Sequence, residues 1–127
     1  MKLTISHHSQ LAKAAGASVI ATTSSEEKAR KLKKLGADHV INYRNVSNWG
    51  EVARSLTPAQ AGVDHIMDIG GTDTLEQSLK CIKMDGIINL IGFLGTSEKP
   101  QPGLLEALNH ICTIRGIYVG SRAMLKD

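Results

Sequence analysis

The sequence lacks several features that would assign a protein to a class at once. No apolar run approaches the roughly 20 residues of a membrane-spanning helix, and residues 1–8 have too short an apolar core for a secretory signal. We therefore expect a cytoplasmic protein without membrane contact. Aromatic residues are only 3% of the chain, so the basic cluster Lys28–Lys34 lacks the aromatic neighbours of a nucleic-acid surface. We expect that cluster to be a solvated helix face, with no nucleic-acid partner.

Cysteine and histidine are too few and too dispersed to predict a metal site. Cys81 and Cys112 form no Cys-x-x-Cys pair and lie in apolar surroundings, which is typical of buried thiols. The histidines comprise a pair expected to be exposed near the N-terminus and three isolated residues: His7, His8, His39, His65 and His110. These spacings assemble no tetrahedral ligand set, so we expect no zinc in this chain.

Two apolar stretches in the sequence end in glycine. Val63–Ile69 is followed by Gly70 and Gly71, and Ile87–Ile91 is followed by Gly92. Strands of a parallel sheet that stop at glycine leave the backbone open to close approach by a flat ligand. The sequence therefore predicts a dinucleotide-binding sheet, although it contains no Gly-x-Gly-x-x-Gly turn.

Strand and helix patterns alternate along the whole chain. The β-branched stretches predict strands over 18–22, 38–43, 63–69, 87–91 and 113–119, and helical periodicity predicts helices ending at 16 and over 24–35, 47–56, 74–84 and 104–111. Ser24 with Glu27 has capping-box spacing, and Ser47 is placed to cap the third helix. This alternation predicts an α/β fold with a doubly wound, Rossmann-like parallel sheet.

The beginning of the chain does not fit a complete sheet of this kind. Residues 2–5 have the composition of a strand, but only residues 6–10 separate them from the apparent end of a helix at Gly16. A phosphate-binding turn and a long helix have no room there. We therefore expect a single truncated domain over 1–127, incomplete at its N-terminal strand and glycine turn.

Several short motifs in a fixed order carry a family resemblance. They are Leu11–Ala17, Ala21–Ser25, Leu35–Tyr43, Gly62–Asp64, Ile91–Gly92 and Arg115–Arg122. In this order they resemble the cofactor domain of the medium-chain dehydrogenase/reductase superfamily, nearest to zinc-type alcohol dehydrogenases and quinone oxidoreductase-like proteins. The resemblance covers about nine-tenths of the chain, from Leu11 to Leu125.

The resemblance implies that the end of the second strand of such a domain lies beside the adenosine ribose. Here that position holds Thr23, Ser24 and Ser25, followed by Lys28, with no carboxylate before Glu26. Hydroxyl and ammonium groups suit the 2′-phosphate of NADP, whereas an acidic residue would favour NAD. We expect NADP, with NAD less favoured. Ser24 is equally suited to capping the helix, and the two roles are compatible.

The resemblance also implies further contacts along the cofactor. Tyr43 would meet the adenine ribose phosphate, although an ordinary strand-end aromatic explains it equally well. Asp68, Gly70 and Gly71 would contact the central ribose and the pyrophosphate. Gly92 and Phe93 would contact the nicotinamide ribose, and Gly120 and Ser121 would contact the carboxamide. Tight turns after strands are the alternative reason for these glycines.

Related enzymes carry their zinc ligands, proton relay and substrate pocket in a separate N-terminal domain, which nothing before Leu11 resembles. The resemblance therefore implies a cofactor-binding domain of an NAD(P)-dependent oxidoreductase that is inactive alone. Three alternatives stay open. The chain is a structural or regulatory module that oligomerises through its incomplete sheet, a reductase that works alone or with a partner domain, or one piece of a longer product.

Overall fold

Five helices and five strands alternate in the computed structural model, which describes residues 4–92, 98 and 100–117 and side chains from residue 8 onward. The order is α1 (Thr4–Ala14), β1 (Ile20–Thr23), α2 (Glu26–Lys34), β2 (His39–Asn42), α3 (Trp49–Ser55), β3 (Val63–Asp68), α4 (Leu75–Cys81), β4 (Ile82–Leu90), α5 (Leu105–Asn109) and β5 (Thr113–Gly116). Short 3-10 turns at Pro58–Gln60 and Gly71–Asp73 precede and follow β3. The predicted alternation is confirmed.

All strand pairs in the described part of the chain are parallel, as predicted, but they form two separate sheets. β1 pairs with β2, with Ile20 opposite His39, and the second sheet has the order β3-β4-β5. β3 and β4 shift register between Val63 and His65. Because the strands within each sheet are parallel, their carboxyl ends lie at the same edge of that sheet.

The helix α2 begins one residue later than its capping-box pattern predicted. Ser25, not Ser24, is the N-cap residue, and its side chain accepts a hydrogen bond from the Lys28 backbone N–H at 3.3 Å. Glu26 and Glu27 lie in the first turn, where they complement the helix dipole. Ser24 is thereby left outside the helix.

Other boundaries also differ from the prediction. Thr4 and Ile5 belong to α1 instead of a strand, and α3 is preceded by Asn48, not Ser47, with no side-chain capping bond. β4 begins at Ile82, where a helix was predicted to continue to Met84. Ile82 is 2% exposed and lies opposite Val63 in the ladder, so tertiary packing overrides the local helical pattern.

One apolar cluster joins the two sheets on the face covered by α3 and α4. Ile41 is buried there with Ala53 and Cys81, and Ile20 and Val63 pack against them. The two helices lie very close, because a Cβ atom on Gly50 would come within 2.2 Å of the Gln77 carbonyl oxygen. The sheets are therefore held in a fixed relation through this shared core.

The charged face of α2 is solvated, as predicted: Lys28, Arg30, Lys31, Lys33 and Lys34 are all exposed. His8 is half-buried, so the prediction of an exposed histidine pair is wrong for this residue. Among the residues that the structure describes, no helix has the length and apolar character needed to cross a membrane.

Candidate functional site

A cavity of about 1010 Å³ separates the two sheets. Its walls include every residue of β1 and every residue of β3, together with parts of α1, α3 and α4. The carboxyl ends of β1 and β3 therefore open onto the same space, which is where a parallel α/β sheet binds ligands when its strand order changes direction.

The end of β1 brings a hydroxyl and an ammonium group together at the rim of this cavity. The Lys28 Nζ donates to Ser24 Oγ at 3.4 Å, and both residues line the cavity with Thr23 and Tyr43. Thr23 is 5% exposed, whereas the Tyr43 side chain is 44% exposed. Ser25 caps α2 and does not line the cavity. We call the four lining residues Thr23, Ser24, Lys28 and Tyr43 the β1 rim.

The end of β3 is built differently, because its carboxylate is turned inward. Asp68 is 3% exposed, and its Oδ1 accepts from the Gly71 N–H at 3.0 Å and from Thr74 Oγ1 at 2.5 Å. Its Oδ2 accepts from Ser78 Oγ at 2.7 Å. Asp68 thus ties the turn after β3 to the helix α4, and we call residues Asp68 to Thr74 the β3 rim.

The glycines at the strand ends have close neighbours. A Cβ atom on Gly70 would lie 2.6 Å from the Thr74 side chain, and one on Gly92 would lie 2.9 Å from the Ile69 carbonyl oxygen. Gly71 has a φ of +66°, which glycine adopts without strain. Tight packing of the turn therefore accounts for glycine at these positions, whether or not a ligand approaches them.

Two polar side-chain atoms in the cavity wall were not singled out by the sequence. Thr72 Oγ1 and His8 Nδ1 are buried and have no hydrogen-bond partner. Buried polar atoms usually have a partner, so unpaired ones mark places where a ligand or water completes the wall. Thr72 directly follows Gly70 and Gly71, so its place in the sequence could have identified it as a residue of this turn. Nothing in the sequence marks His8.

The cysteines are thiols without a metal-binding environment. Burial raises the pKa of Cys81 to about 12 and also raises the pKa of the half-buried Cys112. Neither belongs to a group of three His, Cys, Asp or Glu residues able to hold a metal ion, and no such group occurs in the described part of the chain. The described residues therefore do not fit a zinc ion.

Most of the residues that were expected to bind the cofactor, and that the structure describes, lie close together. The same cavity is lined by Thr23, Ser24, Lys28, Tyr43, Asp68 and Gly70, whereas Gly71 is buried and does not line it. Gly92 follows β4, the strand beside β3. Phe93, Gly120 and Ser121 lie outside the described residues.

Parallel sheets joined by helices, with a cavity between strand ends, define the Rossmann-like class of nucleotide-binding domains. A solved NAD-dependent alcohol dehydrogenase has this fold: the two share a TM-score of 0.81 and 32% identity over 95% of this chain and 34% of that one. The Escherichia coli quinone oxidoreductase complexed with NADPH also matches, with a TM-score of 0.68 and 32% identity over 87% of this chain and 33% of that one.

The chain belongs to the zinc-binding dehydrogenase family, whose model matches residues 7–127. A zinc-type alcohol dehydrogenase-like protein of Schizosaccharomyces pombe is 44% identical over 122 residues, which are 93% of this chain and 35% of that protein. The superfamily resemblance read from the sequence is confirmed. The chain spans about a third of the length of this curated relative.

Proposed function

We propose that this chain is the cofactor-binding part of an NADP-dependent oxidoreductase and holds the 2′-phosphate of NADP at the β1 rim. The observation that carries this proposal is the Lys28 ammonium group placed 3.4 Å from Ser24 Oγ on the cavity wall. An ammonium and a hydroxyl group, side by side, are the donors that a phosphate dianion needs. The family match and the NADPH-bound quinone oxidoreductase support a nicotinamide cofactor.

The distribution of charge around the cavity favours the same orientation. Among its described lining residues, Lys28 is the only lysine or arginine, and it lies on the β1 side. The carboxylates Asp64, Asp68, Asp73 and Glu76 lie on the β3 side. This distribution of charge favours the β1 rim over the β3 rim as the place of the 2′-phosphate.

The remaining expected residues extend this arrangement along the cofactor. In the proposal, Tyr43 lies against the adenine ribose, and the pyrophosphate passes Gly70 and Gly71, where the unpaired Thr72 Oγ1 offers a donor. Gly92 and Phe93 lie toward the nicotinamide ribose, and Gly120 and Ser121 lie toward the carboxamide. When bound, NADPH supplies the hydride, and this chain's residues supply binding and orientation.

Isothermal titration with NADP and with NAD tests the phosphate assignment. Lys28→Gln should weaken NADP about 10- to 100-fold, because a hydrogen bond to a charged group contributes about 1.5–3 kcal/mol, and should leave NAD unchanged. Lys31→Gln is the matched control, since Lys31 is exposed on the same helix but does not line the cavity. Equal losses for both cofactors, or for both variants, would refute the assignment.

We further propose that residues 1–127 form one truncated domain without dehydrogenase activity of its own. The comparison with the S. pombe protein supports this proposal, since 65% of that protein has no counterpart in this chain (100% less the 35% covered). Hydride transfer needs a substrate held about 3–3.5 Å from the nicotinamide. NADPH oxidation with quinones and aldehydes, followed at 340 nm, should show no turnover above the protein-free rate; saturable turnover would contradict the proposal.

A second candidate function is a structural or regulatory module that oligomerises without the cofactor. The observation that favours it is that β1 and β3 each have only one strand partner among the described residues. Unpaired strand edges invite pairing with another chain. Light scattering at micromolar concentration tests it: a concentration-dependent dimer supports self-association, and a monomer throughout the range argues against it.

A further inference from the structure

Glu26 is the first carboxylate after β1, and its charge is the feature of this segment that does not suit NADP. An acidic residue at the end of this strand accepts hydrogen bonds from the ribose hydroxyls of NAD and repels the 2′-phosphate of NADP. Glu26 follows Ser24 by two residues, and Lys28 follows Glu26 by two. The place of the Glu26 side chain therefore decides whether its charge acts on the proposed phosphate position.

The Glu26 carboxylate is turned toward β2. Its Oε1 accepts a hydrogen bond from Asn42 Nδ2 at 2.8 Å. Glu26 does not line the cavity, whereas Lys28 does. Residues two apart on a helix do not face each other. Glu26 and Lys28 therefore point in different directions from α2, and the carboxylate is held by Asn42 and not by the lysine of the β1 rim.

Asn42 is itself held in one orientation by two partners. Its Oδ1 accepts from the Arg44 N–H at 3.2 Å, while its Nδ2 donates to Glu26. Exchanging the oxygen and nitrogen of the amide would place an acceptor against the carboxylate and a donor against the N–H, so both partners select the same orientation. Asn42 also lies opposite Thr23 in the ladder between β1 and β2. The amide is thus a fixed donor at the end of the sheet.

The contact between Glu26 and Asn42 lies next to the β1 rim. Asn42 directly precedes Tyr43, whose N–H donates to the Thr23 carbonyl at 2.9 Å. Glu26 belongs to the first turn of α2, which the Ser25 side chain caps. A carboxylate released from Asn42 would therefore stay beside the rim, because the backbone that carries it is fixed there. Its charge would then act on the group that occupies the rim.

We propose that Asn42 is a positioning residue that sets the choice of cofactor: by holding the Glu26 carboxylate on the β2 side, it keeps the β1 rim suited to the 2′-phosphate of NADP. This inference deepens the proposed function and rests on it. Specificity is a difference between two affinities, so withdrawing a repulsive group acts in the same direction as adding an attractive one. Lys28 supplies the attraction, and Asn42 withdraws the repulsion.

Isothermal titration of the full chain with NADP and with NAD tests this role, with the preference defined as the Kd for NAD divided by the Kd for NADP. Asn42→Ala releases Glu26, which should weaken NADP and strengthen NAD, so the preference should fall about tenfold or more. Asn42→Ala/Glu26→Gln has no carboxylate to release, and its preference should return to within about twofold of the unmodified chain. A loss that persists in the double variant would overturn the proposal.

Glu27→Gln is the matched control. Glu27 carries the same charge and is exposed in the same helical turn, but it is not the carboxylate that Asn42 holds. Added to Asn42→Ala, this substitution should leave the preference low. Glu26→Gln alone should change the preference by less than about twofold, because the held carboxylate is already turned away. A rescue by Glu27→Gln, or a tenfold gain in preference from Glu26→Gln alone, would count against Asn42 as the residue that withdraws the charge.

Exchanging the two side-chain groups provides a test that does not depend on the alanine variant. Asn42→Asp/Glu26→Gln places the carboxylate on the strand and the amide on the helix, so a hydrogen bond of the same type can form and the number of charges is unchanged. Its preference should stay within about twofold of the unmodified chain. Asn42→Asp alone sets two carboxylates against each other and should lower the preference about tenfold or more. An exchange variant with as low a preference as Asn42→Asp would refute the role of the contact.

The same titrations separate this inference from the proposed function. If the unmodified chain binds NADP and NAD equally, the phosphate assignment at Lys28 fails, and the role of Asn42 fails with it. If the chain prefers NADP and loses the preference in Lys28→Gln but keeps it in Asn42→Ala, only the role of Asn42 is overturned. If Asn42→Ala weakens both cofactors by the same factor, Asn42 supports the fold of the rim without selecting the cofactor, which also overturns the inference.

Discussion

The two rims of the cavity use the same kinds of polar side chain in opposite ways. At the β1 rim, the Ser24 hydroxyl and the Lys28 ammonium contact each other and remain open to the cavity. At the β3 rim, the Asp68 carboxylate is buried and accepts three hydrogen bonds from its own turn and helix. The comparison shows that polar side chains after parallel strands differ in burial: those of Ser24 and Lys28 face the cavity, whereas that of Asp68 is held within its own turn.

The largest expected effect is a loss of stability when the buried carboxylate of the β3 rim is removed. Asp68→Ala leaves the Gly71 N–H and the Thr74 and Ser78 hydroxyls without their acceptor, and should lower the free energy of unfolding by about 3 kcal/mol. Asp73→Ala, which removes an exposed carboxylate from the same cavity wall, should change it by less than about 0.5 kcal/mol. Urea unfolding with an unchanged m-value measures both. Equal stabilities of the two variants would show that the carboxylate of Asp68 does not organise the turn.

A smaller loss is expected from the packing of Gly70. Gly70→Ala places a Cβ atom 2.6 Å from the Thr74 side chain, which Asp68 holds in place, and should cost about 2 kcal/mol. Gly103→Ala is the control, because nothing lies within 4 Å of the added atom there. The same urea titrations compare them. A Gly70 variant as stable as the control would mean that the turn is loose.

Ser24 of the β1 rim and its neighbour Ser25, which lies outside the rim, provide a sharper contrast. Ser25→Ala removes the cap of α2 and should lower the free energy of unfolding by about 1 kcal/mol without changing the affinity for NADP. Ser24→Ala should change stability by less than about 0.5 kcal/mol but weaken NADP about fivefold. Thermal unfolding and isothermal titration of both variants measure this. The reverse pattern would assign the capping role to Ser24, as its spacing first suggested.

The smallest effect concerns the thiols. Because burial raises the pKa of Cys81 to about 12, its thiolate is scarce at pH 8, and iodoacetamide should label Cys112 faster. The unfolded Cys81 thiol ionises near pH 9 while the folded one keeps its proton. The contribution of the protonated Cys81 thiol to the free energy of unfolding is therefore complete below pH 9 and declines as the pH rises toward 12. Peptide mapping after timed labelling tests the first point; faster labelling of Cys81 would show that the region beneath the β3 rim opens.

The sequence predicts the parallel α/β architecture because strand and helix periods are local properties. Val40 and Ile41 indicate β2, and Gly36, with a φ of +97°, ends the preceding helix as expected. The basic face of α2 also follows from spacing alone. These features depend on residues that are near one another along the chain.

The details that the sequence did not predict depend on residues that are distant along the chain. The inward turn of Asp68 requires Ser78 of α4, and the early start of β4 at Ile82 requires its pairing with Val63. The division into two sheets joined by one core appears only in three dimensions. Sequence patterns therefore located the ends of the strands, whereas tertiary contacts decide which polar groups remain free there.

The central proposal is that the β1 rim holds the 2′-phosphate of NADP. Titration of the unmodified chain with 2′,5′-ADP and with 5′-AMP, followed by the chemical shifts of the Ser24 and Tyr43 amides, tests it most directly. We expect saturable shifts with 2′,5′-ADP and at least tenfold weaker binding of 5′-AMP. Equal affinities, or shifts confined to residues after β3, would contradict it.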